Sequence, residues 1–252
     1  MTDSYYDQLA PFYKYIYQDW GSSVGKQAAV LDQVIQEYFG DKVIRVLDAA
    51  CGIGTQAIGL AELGYQITGT DISSESIRIA SKEANTRQLE ADFIVADMRE
   101  LEQIYQIPFD LILACDNAVP HLMSKKEILK AFRGFYNGIN RGGGCLISVR
   151  DYSTFDRDSQ DTKLVPRLIH QVEGGRIILF DLWDFDDDVY QITTHIMEEI
   201  AGKDLKVTTV RGGKYYCIEP DELEHLFLQA GFQKVITIRE RYFQPLLLAK
   251  KD

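Results

Sequence analysis

The sequence lacks most of the features that mark a special environment. Its 252 residues hold only four cysteines, Cys51, Cys115, Cys145 and Cys217, widely spaced and without a C-x-x-C pair. That excludes a disulfide framework, and with no histidine pair at ligand spacing no zinc site is indicated. Free buried thiols in a reducing compartment are the expectation. No apolar run approaches the roughly 20 residues that span a bilayer. The start, Met1-Thr2-Asp3-Ser4-Tyr5-Tyr6, has no basic region followed by an apolar run, so it does not read as a signal peptide. A cytoplasmic protein without a membrane partner is expected. Positive charge is also scarce: Lys and Arg total 27 against 38 Asp and Glu, a formal net charge of −11. Lys125-Lys126 and Lys250-Lys251 are pairs rather than a stripe, and displacing counterions from phosphate needs a stripe. A nucleic-acid partner is therefore not expected. What remains is an ordinary globular composition, with 46% hydrophobic residues, enough for a full-sized core.

Strand-like and helix-like patterns alternate from residue 43 to about 150. Short apolar runs at Val43–Leu47, Gln66–Thr70, Phe93–Ala96, Phe109–Ala114 and Cys145–Val149 read as buried strands. Between them, Thr55–Leu63, the segment from Ser73 or Ser74 to Thr86, and Lys125–Ile139 read as helices, the last stopped by Gly142-Gly143-Gly144. Such alternation predicts a doubly wound parallel α/β sheet. After Pro166 the pattern changes to four strands, Arg167–Val172, Arg176–Trp183, Tyr190–Ile200 and Lys206–Tyr216. They are separated by turn-forming stretches such as Glu173-Gly174-Gly175 and Asp186-Asp187-Asp188, which predicts an antiparallel meander over the mouth of the sheet. A helix over Glu219–Ala230 and strands over Gln233–Arg239 and Tyr242–Ala249 complete a seven-stranded sheet. The expected organisation is an N-terminal arm with helices (1–40), an α/β core (41–165), an inserted β lid (166–216) and a C-terminal helix with hairpin (217–252).

Ligands in such sheets bind at the carboxyl ends of the strands. Here those ends carry Asp48, Asp71, Asp97, Asn117 and Arg150 in turn. Three successive carboxylates on one edge repel each other unless a cationic or hydroxyl-rich ligand lies among them. The first loop, Asp48-Ala49-Ala50-Cys51-Gly52-Ile53-Gly54-Thr55-Gln56-Ala57, matches the dinucleotide pattern, with Asp71 roughly 20 residues on. A carboxylate at Asp48, however, would face the diphosphate that the helix N-terminus should hold. S-adenosylmethionine (SAM) carries no phosphate and presents an ammonium and a sulfonium, so charge complementarity favours SAM over NAD. Asp71 can accept both ribose hydroxyls, and Asp97 with Met98 can hold the adenine.

The stretch Val46–Gly54, the phrase Asp116-Asn117-Ala118-Val119-Pro120-His121-Leu122, the phrase Arg150-Asp151-Tyr152 and the pair Tyr215-Tyr216 together resemble the glycine N-methyltransferases and glycine/sarcosine methyltransferases. The tyrosine-rich start, Tyr5-Tyr6-Asp7 and Ile16–Trp20, looks like the arm that closes over SAM in that family. The resemblance implies a Rossmann-like methyltransferase fold and methyl transfer from SAM to the amine of a small amino acid of the glycine or sarcosine type. It implies a cofactor set of Tyr5, Lys26, Asp48, Ala50, Gly52, Gly54, Asp71, Ile72, Asp97, Met98 and Cys115. Asn117, Arg150, Tyr17 and Tyr215 would then address the acceptor. Lys26 stands where the family has an arginine, so a point charge replaces a fork-shaped donor for the SAM carboxylate. A methyltransferase for another small acceptor (amine, sugar or quinone) and a non-catalytic SAM- or NAD-binding protein are the rival readings. His121 reads as a structural histidine after the Pro120 turn before it reads as a general base.

Overall fold

The computed structural model describes residues 2–104, 107–154 and 162–252. Two helices come first, α1 (Thr2–Leu9) and the long α2 (Trp20–Phe39). Asp19 caps α2 by accepting from the Ser22 backbone N–H, which satisfies a donor that a helix start leaves orphaned. Then β1 (Arg45–Asp48), α3 (Thr55–Glu62), β2 (Gln66–Asp71), α4 (Ser74–Thr86), β3 (Ala91–Val95), β4 (Phe109–Ala114), α5 (Lys125–Gly138) and β5 (Ile139–Ser148) alternate. Ser73 is the N-cap of α4, its hydroxyl accepting from Ser76 N–H at 3.1 Å.

Four long strands follow, β6 (Lys163–Val172), β7 (Gly175–Asp186), β8 (Val189–Ile200) and β9 (Lys206–Tyr216), paired in sequence as an antiparallel sheet. Asp187, between β7 and β8, has φ 51°, the left-handed conformation a tight hairpin requires. The chain ends with α6 (Pro220–Ala230), β10 (Lys234–Ile238) and β11 (Leu246–Lys250). Gly231 stops α6 at φ 115°, a conformation that glycine reaches without steric cost.

The main sheet has seven strands in the order β10-β11-β5-β4-β1-β2-β3. β1 pairs in parallel with both β2 and β4, so the strand order reverses at β1. Apolar residues of α2, α3 and α4 pack on one face, among them Leu31, Ile35, Leu60 and Ile77. The other face is covered by α5 and α6, where Phe132 and Phe227 stack at 3.9 Å. This second core runs on into the small sheet through Trp183, Tyr190, Ile192 and Tyr215. A third cluster, Tyr5 and Leu9 of α1 with Leu179, Ile196 and Val210, fastens the N-terminal helix to the meander.

One expectation changes. Gly142-Gly143-Gly144 is not the stop of α5 but part of β5, which starts at Ile139 immediately after the helix. A Cβ on Gly143 would lie 2.3 Å from the Asp110 carbonyl, and one on Gly144 would lie 2.6 Å from Phe39 Cζ. The glycines therefore allow close packing between neighbouring strands and α2, which a local reading takes for a loop.

Candidate functional site

Two cavities meet at the carboxyl ends of the strands, where the strand order reverses. The first, about 310 Å³, is lined by Ala49, Ala50 and Gly52 after β1, by Asp71 and Ile72 after β2, by Asp97 and Met98 after β3 and by Cys115 and Asp116 after β4. The second, about 560 Å³, lies between the N-terminal residues and the meander, with Tyr5, Tyr17, Lys26, Arg150, Arg167 and Tyr215 among its walls. Among the described residues, Tyr6, Tyr13 and Asp116 line both. These three side chains stand between the two cavities.

Three acids, Asp71, Asp97 and Asp116, line the first cavity. The carboxylate of Asp71 accepts Gly52 N–H and Ser73 N–H, each at 2.9 Å, which fixes its orientation and leaves lone pairs for ligand hydroxyls. Burial raises its pKa. Asp48 is 1% exposed, and neither carboxylate oxygen has a hydrogen-bond partner. Burial lifts its carboxyl to about 7; Asp71 adds to the rise, while the nearby amides of Ala50 and Ala57 offset it without reaching hydrogen-bond geometry. Asp48, expected among the cofactor-binding residues, lines neither cavity; its orphaned carboxylate is buried one residue before cavity-lining Ala49. Gly52 has φ 52° and open space where a Cβ would be, so backbone borders the cavity there. Gly54 does not line it; a Cβ there would meet Ile58 at 2.7 Å and Ala80 at 3.3 Å, so its role is packing of α3 on α4. At Asp97, burial is more than reversed by the Arg99 side chain and backbone N–H, and the carboxyl sits below its ordinary pKa. Arg99 joins the same wall.

In the second cavity, Arg150 donates to Tyr190 Oη at 2.5 Å and lies over the rings of Trp183 and Tyr215 at 5.2 and 5.4 Å. It makes no ion pair among the described residues, although the Asp116 charge is close enough to act on it. Arg167 is paired instead, to Asp181 at 2.6 Å, and Asp181 also accepts the Thr194 hydroxyl at 2.8 Å. Tyr5 is buried below this wall, its hydroxyl 3.0 Å from Thr194 Oγ1, so it borders the second cavity and not the first. Lys26 likewise borders the second.

Asn117, in contrast, is fully buried behind the wall and lines neither cavity. Its amide donates to Tyr152 Oη at 2.8 Å, and its carbonyl accepts Arg150 N–H at 3.0 Å. The side chain that reaches the cavities is its neighbour Asp116, which the strand-end reading passed over. Both residues have left-handed backbone, φ 56° and 64°. That geometry, held by Asp116 N–H donating to Ser148 Oγ at 2.7 Å, turns Asp116 outward. Tyr6 and Tyr13 were also missed; the tyrosine-rich start was the only signal for them.

A directed hydrogen-bond chain closes the junction. His121 Nδ1 lies 2.7 Å from the Lys214 carbonyl, which only accepts, so Nδ1 carries the proton. Burial, opposed by that bond and aided by Arg150, lowers the ring's pKa to about 4. The neutral ring's Nε2 therefore accepts Tyr6 O–H at 2.7 Å, and Tyr6 Oη in turn accepts from Tyr215 O–H at 2.9 Å. Burial also raises the pKa values of Tyr6, Tyr13, Tyr17 and Tyr215, keeping them neutral.

Residues 46–143, which carry the strand ends of the first cavity, match the family model described as a methyltransferase domain. That core is similar to a methyltransferase domain. Methyltransferases of this class take SAM as methyl donor, and Asp71, whose carboxylate keeps lone pairs free for hydroxyls, lines the first cavity. The glycine/sarcosine N-methyltransferase of Halorhodospira halochloris is 28% identical over 134 residues, 53% of this chain and 49% of that protein. The chain spans about half the length of the curated relatives it matches. Likeness over the whole chain is to solved structures. DesVI of Streptomyces venezuelae gives a TM-score of 0.82 at 17% identity, covering 96% of this chain and 98% of that one. CalS10 from Micromonospora echinaspora, a SAM-bound amino pentose methyltransferase, gives 0.78 at 17%, covering 91% and 92%. At such identity they show the fold alone: a methyltransferase-domain sheet carrying a second antiparallel sheet. No described helix is long and apolar enough to cross a membrane.

Proposed function

We propose that the whole chain is a SAM-dependent methyltransferase that methylates the amine of a small amino acid. The observation that carries the acceptor assignment is Arg150, a guanidinium on the cavity wall with a tyrosine and two aromatic faces around it and no carboxylate partner among the described residues. A fork of N–H donors matches a carboxylate in two parallel bonds. SAM supplies an electrophilic methyl on a sulfonium, for in-line displacement by a neutral nucleophile. The protein's own part is positioning: Asp71 holds one reactant, Arg150 the other, and Tyr6 and Tyr13 line the crossing between them. Holding two reactants in attack geometry supplies up to several kcal/mol of the barrier reduction. Tyrosine faces add a favourable surface for the sulfonium, worth about 0.5–2 kcal/mol. The similarity to a glycine/sarcosine N-methyltransferase supports the same reading.

An amino sugar is the second reading. The second cavity, about 560 Å³, has far more room than glycine fills, and a whole-chain fold neighbour is named as an amino pentose methyltransferase. A methyl-release assay across glycine, sarcosine, larger amino acids, amino sugars and quinones separates them. Amino acids are expected to react best, and Arg150→Lys is expected to raise their KM at least tenfold with SAM affinity nearly unchanged. Turnover of amino sugars alone, insensitive to Arg150→Lys, overturns the amino-acid reading.

A further inference from the structure

Asp116 lines both cavities, together with Tyr6 and Tyr13. Its carboxylate is tethered on one side only: Oδ2 accepts Tyr13 O–H at 3.1 Å and Tyr17 O–H at 3.3 Å. Oδ1 accepts no side-chain hydrogen bond in the described structure, and it is not among the buried unsatisfied atoms, so it is open to the cavity. The backbone turn puts it there. Two consecutive non-glycine residues, Asp116 and Asn117, adopt left-handed φ, a region that non-glycine residues enter uncommonly. The turn is secured by the Asp116 N–H bond to Ser148 Oγ, whose own hydroxyl donates to Gln244 at 2.8 Å. A turn of this kind persists where surrounding contacts over-determine it.

Charge makes the placement informative. Arg150 and Asp116 line the same cavity and are within electrostatic reach of each other, yet they form no ion pair. Elsewhere on this wall the chain pairs its charges directly, as in Arg167 with Asp181 at 2.6 Å. Two opposite charges held apart in a partly desolvated cavity fit a ligand that carries the complementary pair.

We infer that Asp116 is the receptor for the acceptor's ammonium group, the counterpart of Arg150 for its carboxylate, so that the site takes a zwitterion lengthwise with the nitrogen at the junction of the cavities. This rests on the amine-methylating reading above and adds the residue that makes binding selective for nitrogen over oxygen acceptors; the bound ammonium gives up one proton to solvent before its nitrogen attacks the methyl. An ammonium donates to Oδ1 and is drawn to the carboxylate; a hydroxyl of the same size donates one bond and carries no charge. Tyr13 and Tyr17 hold Oδ2, so rotation of the carboxylate away from the nitrogen is blocked.

The test compares glycine with glycolate, which exchanges ammonium for hydroxyl and keeps the carboxylate, and with acetate, which keeps the carboxylate alone. Binding is measured by calorimetry on the protein saturated with S-adenosylhomocysteine, so turnover is not needed. Wild-type protein is expected to bind glycine at least tenfold more tightly than glycolate or acetate. Asp116→Asn, which preserves shape and an acceptor for the tyrosines, is expected to erase that preference while S-adenosylhomocysteine affinity stays within about threefold. If the wild type binds glycine and glycolate equally, the inference is overturned without recourse to a variant. If the preference survives in a folded Asp116→Asn protein, Asp116 is not the receptor, although the amine reading stands. If the wild type binds none of the three but methylates a neutral acceptor, both fail together.

Discussion

Above neutral pH the Asp48 carboxylate is a buried charge without a hydrogen-bond donor, and the ligand-free protein bears that cost alone. Its folded pKa is about 7, against about 4 for an unperturbed aspartate. The folded state therefore keeps a proton that the unfolded chain releases, and stability falls as pH rises from about 4 through 7. Above 7 the loss is complete, with an upper bound on the order of 4 kcal/mol. Asp48→Asn should thus stabilise the ligand-free protein by about 1 kcal/mol more at pH 8.5 than at pH 6, as read by urea unfolding. An equal effect at both pH values would mean that Asp48 does not titrate in this window. At this scale the sequence was informative about residue type. Acids after strands and the glycines of the first loop were visible, because those features depend on local charge and backbone conformation. The direction of a side chain was not visible: Asn117 and Asp116 are adjacent, and which one faces the cavities follows from a turn pinned by Ser148, distant in sequence.

Among the elements, the meander and α1 illustrate how a lid is attached. Turn residues at regular spacing showed four strands, and β9 runs over Lys206–Tyr216 as expected. The partner of the meander was not in its own pattern. α1 packs across it through Tyr5, whose ring lies 2.8 Å from where a Cβ on Gly213 would be, so that glycine leaves room for the helix. Below Tyr5, Asp181 gathers Arg167, Thr194 and Trp183. Asp181→Ala would leave a largely buried guanidinium without its carboxylate partner, and is expected to cost about 3 kcal/mol of stability. The double substitution Arg167→Met with Asp181→Leu should cost less than Asp181→Ala alone, because no charge remains unpaired. Denaturant unfolding of the two variants checks the order, and the reverse order would show the ion pair to be a net source of stability.

On the scale of the molecule, the first cavity is walled by the ends of β1, β2, β3 and β4 and by Tyr6 and Tyr13 from the N-terminal segment. A ligand there ties the segment to the core, so SAM should raise the stability of the whole unit. At one hundred times its Kd a ligand adds about 2.7 kcal/mol. For a chain of this size that is roughly 5–10 °C in Tm. SAM and S-adenosylhomocysteine are expected to give such a shift in a thermal melt, and NAD none; a shift with NAD would reverse the cofactor assignment.

The sequence by itself determined the order of strands and helices, the acidic strand ends and the class of ligand they suit. Those follow from hydrophobic periodicity and from charge, which are local properties. Tertiary structure alone decided that β1 lies between β2 and β4, and that Gly142-Gly143-Gly144 belongs inside a strand. It also decided that Tyr6, Tyr13 and Asp116 stand where the cavities meet. Each of those depends on contacts between residues far apart in the chain, where a backbone turn or a register shift exchanges a wall residue for a buried one without altering the local pattern.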